Sequence, residues 1–334
     1  YTIPDRTHGY CTDDNARALL VTAMGQRYRP TNGWGLDSLS GHYLGFLLYA
    51  FNEKKERFRN FMTYSRQWTE EIGSEDAHGR AIWSLGNAVA LLQNPGHLAM
   101  STTLFKKALR AIENFHSPRA IAFCLVGVHA YLDKFSGDSD VRRVREIMAV
   151  RLFDQFKNHA TDDWPWLENA LNYANGKLPQ ALLLSGQRMQ RSDMVEMGLV
   201  ALKWLLAIQT EDGHFVPIGS NGWYGQGGPR ARFDQQPIEA STMVEACVKA
   251  FDITRDQAWF GKAVMCFNWF LGHNDLNLPL YDAKTGGCRD GLMADGINQN
   301  EGAESSLAWL LSLMTLHKLY ADEILNQPPS QKTD

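Results

Sequence analysis

Cysteine is scarce: five residues in 334, at positions 11, 124, 247, 266 and 288. The number is odd, and no two stand at the close spacing of a zinc knuckle or a redox CxxC pair. Neither a disulfide framework nor a thiolate metal site is expected. Buried free thiols in a reducing compartment are, which points to the cytoplasm. Long hydrophobic runs are missing too. Stretches such as Trp204–Ile208 and Leu307–Leu311 fall far below the roughly 18 residues that a membrane span needs, so no membrane partner is expected. There is no basic stripe. Lys and Arg number 33 against 37 Asp and Glu, a formal net charge of −4, and nucleic acid is not an expected partner. No initiator Met is present. The chain opens at Tyr1 inside a polar motif, so a longer parent protein with an upstream domain is expected.

Several catalytic signatures are absent as well. No G-x-S-x-G elbow follows a strand, and no HExxH pair exists. Gly225-Gln-Gly-Gly228 opens no nucleotide-binding βαβ unit. No organic cofactor and no histidine-bound metal is expected; an all-oxygen calcium site stays open.

What the chain does have is helix after helix. Apolar residues recur at helical spacing between Gly, Pro, Asn and Asp clusters. The pattern predicts helices over about 13–29, 37–52, 76–93, 97–115, 118–135, 140–158, 167–187, 192–209, 237–253, 256–272 and 301–325. β-structure is confined to linkers: Arg57–Tyr64 reads as a small strand or extended loop, and Gly213–Ile218 as half of a hairpin.

The helices alternate in character. The odd ones start in dense polar motifs: Cys11–Arg17, Ser74–Arg80, Ser117–Arg119, Asp163–Asn169, Asp234–Glu239 and Asn300–Glu304. Their bodies are apolar or small, as in Ala81–Ala90, and suit burial on nearly all sides. The even ones, such as Val141–Phe153, carry one apolar stripe and one charged face. Inner and outer helices in strict alternation predict an all-α fold, an (α/α)₆ toroid forming one domain over residues 1–325, with 326–334 as a tail. The sixth outer helix either lies beyond Leu316 or is missing. An open solenoid would carry a repeated consensus, and none is present.

In such a toroid all inner N-termini meet at one mouth. Acidic residues in a first helical turn have a bland reading as caps and dipole partners. Arg17, Arg80 and Arg119 do not, because a cation is misplaced there without a carboxylate or a ligand. Glycosidic bond cleavage needs two carboxyl groups, and Asp14, Asp76, Glu168, Asp234 and Glu239 form the candidate pool. Glu168 follows two tryptophans, which would raise its pKa and suit it to be the acid. Asp163-Trp-Pro-Trp-Leu-Glu-Asn169 has the look of a sugar subsite, with Trp164 and Trp166 as platforms and Asn169 for hydroxyls; the bland reading of both rings is core. Trp34, Trp223 and Tyr224 lie in Gly-rich loops where an exposed platform is equally expected. Asp13, His78, Arg80, Arg119, Arg230, Arg232, Gln235, Glu301 and Glu304 complete the expected carbohydrate-binding set.

At this point the chain resembles the six-hairpin glycosidase superfamily, and the N-acyl-glucosamine 2-epimerase-like toroids share that architecture. His8-Gly-Tyr-Cys-Thr-Asp-Asp-Asn-Ala-Arg17 and Gly73-Ser-Glu-Asp-Ala-His-Gly-Arg80 resemble segments of a less studied group, often fused to or encoded as glycosyltransferase-like proteins. The resemblance implies carbohydrate chemistry and assigns no catalytic residue. The leading expectation is a glycoside hydrolase-like enzyme. The rivals are a sugar epimerase or isomerase with His78 as a proton shuttle, a non-catalytic sugar-binding domain, and a phosphorylase using Arg230 and Arg232.

Overall fold

The computed structural model describes Ile3, residues 5–28 and residues 34–326, with side chains as far as Ala321. Asn32 and Gly33 of the first Gly-rich loop, and the tail from residue 327, lie outside the described residues.

Among the described residues there are eleven α-helices: α1 (Thr12–Tyr28), α2 (Leu36–Ala50), α3 (Glu75–Leu91), α4 (Pro95–Ile112), α5 (Pro118–Lys134), α6 (Ser139–His159), α7 (Lys177–Met189), α8 (Ser192–Ile208), α9 (Pro237–Thr254), α10 (Gln257–Asn268) and α11 (Ala303–Asn326). The starts follow from local chemistry. Ser74, Asn94, Ser117, Asp138 and Asp256 each accept a first-turn amide through the side chain. Pro95, Pro118 and Pro237 sit where a helix needs no N–H.

The odd helices form a closed inner ring in which α1, α3, α5, α7, α9 and α11 each pack on the next, and α11 returns to α1. The even helices lie outside, so the fold is an (α/α)₆ toroid with five outer helices among the described residues. Inner helices run parallel. Gly79 faces Ala120 and Gly86 faces Gly127, and a Cβ on Gly86 would lie 1.9 Å from the Gly127 carbonyl oxygen. Backbone contact this close requires glycine on both helices.

Short antiparallel ribbons tie the loops together. The 57–64 segment divides: Arg57–Phe58 pairs with Phe51–Asn52, and Phe61–Met62 with Tyr10–Cys11. The expected hairpin is Thr210–Glu211 against His214–Phe215.

One boundary departs from expectation. Residues 167–176 are not helical, and α7 begins at Lys177. Ala170–Leu171 instead pairs with Tyr224–Gly225 of a distant loop. Ala174 takes a positive φ of 50°, and its N–H is donated to the Glu239 carboxylate, so the helical ladder cannot extend back through it.

The barrel axis is filled by a small apolar plug. Leu20 from α1, Trp83 from α3, Phe123 from α5, Ile238 from α9 and Leu311 from α11 meet there, with Ala174 closing the side below α7. Among the described residues no helix is long and apolar enough to cross a membrane. All five cysteines are free, and all but Cys11 are buried.

Candidate functional site

The inner N-termini converge on one mouth, and three buried guanidinium groups organise it. Arg17, Arg80 and Arg119 are 3%, 5% and 3% exposed. A buried cation needs carboxylate partners to offset lost hydration, and each one finds them across helix boundaries. Arg17 reaches Asp14 at 3.0 Å and Glu304 of α11 at 2.6 Å. Arg80 reaches Asp13 of α1 at 2.8 Å and Asp76 at 3.8 Å. Arg119 donates to both oxygens of Glu168, at 2.9 and 2.6 Å, and to Asn175 Oδ1 at 3.1 Å. Capping accounts for none of these pairs. Arg17–Glu304 and Arg80–Asp13 tie neighbouring inner helices, Arg119–Glu168 ties α5 to the loop before α7, and the Asp14 and Asp76 pairs lie within one helix.

Tyr173 joins the halves of the mouth. Its hydroxyl donates to Asp76, which also accepts from the Ser117 hydroxyl at 2.8 Å, and its carbonyl accepts from Arg119 Nε at 2.5 Å. Its ring lies under both Arg119 and Arg80, at 4.9 and 5.9 Å. Burial, then the bond to Asp76, pushes the Tyr173 hydroxyl's pKa up.

The acids differ in access. The side chains of Asp76, Asp13 and Glu168 are 14%, 17% and 25% exposed, while Asp14 and Glu304 reach 32% and 44%. Burial raises the pKa of Asp14; Arg17 opposes this, and the nearby Glu304 and Asp13 carboxylates add to it. Glu239 is 1% exposed and accepts from Ala174 N at 2.5 Å and Asn175 Nδ2 at 3.3 Å. Burial pushes its pKa up to about 7, against those hydrogen bonds and Arg119. It is the foundation under the 170–176 loop. Asp234 is half-buried at a φ of 59°, and its carboxylate has no partner among the described residues.

Other expected site residues stand elsewhere. His78 is fully buried between the rings of Phe58 and Phe115, with Nε2 on the Ala108 carbonyl at 2.9 Å. Burial drives its pKa down to about 3, so it is a neutral support under α3, facing away from the mouth. Trp164 and Trp166 are 5% and 0% exposed and pack on Trp204. Trp164 contributes by donating Nε1–H to the Glu168 carbonyl at 2.8 Å. Tyr224 packs on Trp164, and Trp223 is half-buried against the core at a φ of 56°. Asn169 is exposed, and its carbonyl accepts from Gln226 N. Arg230 pairs with Glu211, and Arg232 with Glu211 and Asp275, at the outer hairpin. Gln235 is buried on Asp275 and Trp269, and Glu301 sits 3.0 Å from Arg289.

Sequence reading missed Tyr173, Asn175 and Lys177, because it ran a helix through them. The Asn175-Gly176 dipeptide, a turn signal, was the clue available. Lys177 is fully buried. Its ammonium donates to Glu245 and to Gln180 Oε1, the latter at 2.9 Å, and lies 4.5 Å from the Trp83 ring centre. Burial pulls its pKa down, and Glu245 opposes this. Among the described residues, no group of three His, Cys, Asp or Glu side chains is arranged to hold a metal ion.

No protein-family model matches the chain, and no curated protein matches it in sequence. Solved structures do match in fold. A sugar epimerase from a ruminal bacterium superposes with a TM-score of 0.71 at 12% identity, over 96% of this chain and 90% of that one. Cellobiose 2-epimerase from Spirochaeta thermophila gives 0.69 at 11% identity, over 97% and 89%. A GH76 α-mannanase from Bacteroides thetaiotaomicron gives 0.62 at 12% identity, over 95% and 88%. At such identities the likeness is one of architecture.

Proposed function

We propose that this chain is a carbohydrate-active enzyme that cleaves a glycosidic bond at the mouth, with Asp14 and Glu304 as the carboxyl pair. The observation that carries the reading is their arrangement: the two most accessible acids of the network share one buried guanidinium, and one of them has a raised pKa. A carboxyl whose pKa is shifted upward by burial and by neighbouring carboxylates suits the acid that protonates the departing glycosidic oxygen. Glu304, the more exposed of the two, serves as the base that activates water or as the nucleophile. Arg17 fixes both. Asp76, Glu168 and Tyr173 are held too firmly for proton transfer and suit hydroxyl recognition. That structures of the same fold carry the names of sugar epimerases and a mannanase supports a sugar substrate.

Charge favours cleavage over epimerisation. With Asp14 as the acid, four other carboxylates share three guanidinium groups around the mouth, still an excess of negative charge. Glycosidic cleavage passes through an oxocarbenium-like, positively charged transition state, which such a field stabilises. Proton abstraction beside a sugar carbonyl builds negative charge, which the same field opposes. No histidine side chain among the described residues joins the network to act as a proton shuttle.

A second reading has its own observation. Each of those five acids already has an arginine partner, which suits a sugar-binding domain without catalysis. A product screen over oligosaccharides, with and without phosphate, separates the two. Hydrolysis should fall by about 10²- to 10⁴-fold in Asp14→Asn and in Glu304→Gln. Sugar binding without product from the unaltered chain would establish the binding domain. Product that appears only with phosphate would make it a phosphorylase.

A further inference from the structure

At the end of the barrel opposite the mouth, the last turns of the six inner helices enclose a cavity of about 270 Å³. None of the mouth's acids lines it. The axial plug stands between the two, and Trp83 belongs to both plug and cavity wall. A molecule in this cavity therefore has no path to Asp14 or Glu304 along the barrel axis.

The charges facing the cavity are largely spent. Arg188 pairs with Asp133 at 2.7 Å, Lys249 with Asp252 at 3.1 Å, and Glu245 with the buried Lys177. What is left unmet is mostly neutral. Asn87 donates its amide to the Trp83 carbonyl at 2.8 Å, which leaves its Oδ1 free. Among the described residues Thr315 makes no hydrogen bond through its hydroxyl, and Glu245, bonded through Oε2, has a second oxygen to offer. Lys318 lies 5.6 Å over the Tyr28 ring and has no carboxylate partner among the described residues. Between these groups the wall is apolar, with Met24, Val126 and Trp83.

We infer that this cavity is a second ligand site for a small neutral polyhydroxyl molecule of the monosaccharide class. Among the described residues that line it, a cation finds no unpaired carboxylate. An anion meets the carbonyl ends of six helices, whose dipoles repel it. A neutral sugar offers what the wall lacks: hydroxyl donors for Asn87 and Glu245, acceptors for Thr315 and Lys318, and C–H faces for Met24, Val126 and the indole. Ligand pockets for drug-sized molecules start at about 300 Å³, so the cavity suits one ring rather than a chain of them.

The test is calorimetric titration of glucose, mannose and galactose into the unaltered chain, an Asp14→Asn/Glu304→Gln double variant, Asn87→Leu and Thr315→Val. The double variant should retain one monosaccharide binding event, and Asn87→Leu and Thr315→Val should each weaken it about ten-fold or more, with unchanged circular dichroism. Asn87→Leu should leave turnover at the mouth within two-fold. Loss of all binding in the double variant, indifference to both cavity variants, or no binding of any of the three sugars would overturn the inference. So would binding of methylammonium or inorganic phosphate in their place. Absence of hydrolytic activity would sink the mouth mechanism and leave this readout intact.

Discussion

Glu239 offers the sharpest quantitative test of how the mouth is held. Its carboxyl is 1% exposed, and burial raises its pKa from 4.5 to about 7. The unfolded chain ionises it near 4.5 and the folded chain near 7, so folding retains a proton between those values. The sign follows. The contribution is fully present below 4.5 and is lost as pH rises through 7. At about 1.4 kcal/mol for each pKa unit, the loss amounts to about 3 kcal/mol by pH 8. Glu239→Gln keeps an acceptor for Ala174 N and removes the charge. Urea unfolding of both proteins should be followed from pH 5 to 8.5, taking the difference between them at each pH. The unaltered protein should lose about 3 kcal/mol relative to the variant, the net of burial against the opposing hydrogen bonds and Arg119. Parallel curves would refute the reasoning. The variant should also still turn over substrate, because a group this deep cannot touch one. A fall of more than about 100-fold in hydrolysis, with stability intact, would make Glu239 the acid in place of Asp14.

Further outcomes follow from the packing. Gly86→Ala places a methyl group 1.9 Å from the Gly127 carbonyl and should cost about 3 kcal/mol or more, read as a lowered urea midpoint. Trp166→Ala should cost about 3–5 kcal/mol, because the ring is fully buried; a weakened sugar affinity with unchanged stability would restore its reading as a platform. His78 and His129 are both buried with pKa values lowered to about 3. Their contributions are present above 6.5 and fade as pH falls, by about 3 kcal/mol each at pH 4. His129→Gln should remove about half of that acid sensitivity in thermal melts.

The toroid was legible because it is written in local terms. Ser74 caps α3, the 81–90 run is mostly apolar or small, and Val141–Phe153 carries one stripe. Alternation of such segments implies two rings, and two rings bring the polar starts together. The false start of α7 shows where local terms fail. Trp166, Leu167, Ala170, Leu171 and Ala174 sit at helical spacing, yet Ala174 N–H is claimed by Glu239, 65 residues away. The roles of the aromatics were hidden for the same reason. Trp-Pro-Trp reads alike as a sugar platform and as core until Trp204 is known to cover it. The pairing of acids was not legible at all, since Arg17 and Glu304 stand 287 residues apart.

The plug is what joins fold to site. Four cations are buried near the barrel axis, and ion pairing alone repays such burial poorly. Here each cation except Arg17 also lies over an aromatic face. Arg80 is 4.9 Å from the Phe123 ring, Arg119 is 4.9 Å from Tyr173, and Lys177 is 4.5 Å from Trp83. The rings that fill the axis therefore also stabilise the charges that organise the mouth. At Arg80 and Arg119 a guanidinium fixed by a ring and by carboxylates at its edge has little freedom left, so Asp13, Asp76 and Glu168 keep one arrangement before any substrate arrives. Preorganised charge of that kind stabilises a transition state without reorganising during the reaction. It also explains why aromatic residues stand at positions 83 and 123 of the inner helices, where an aliphatic side chain would fill the axis but leave the cations without a π face.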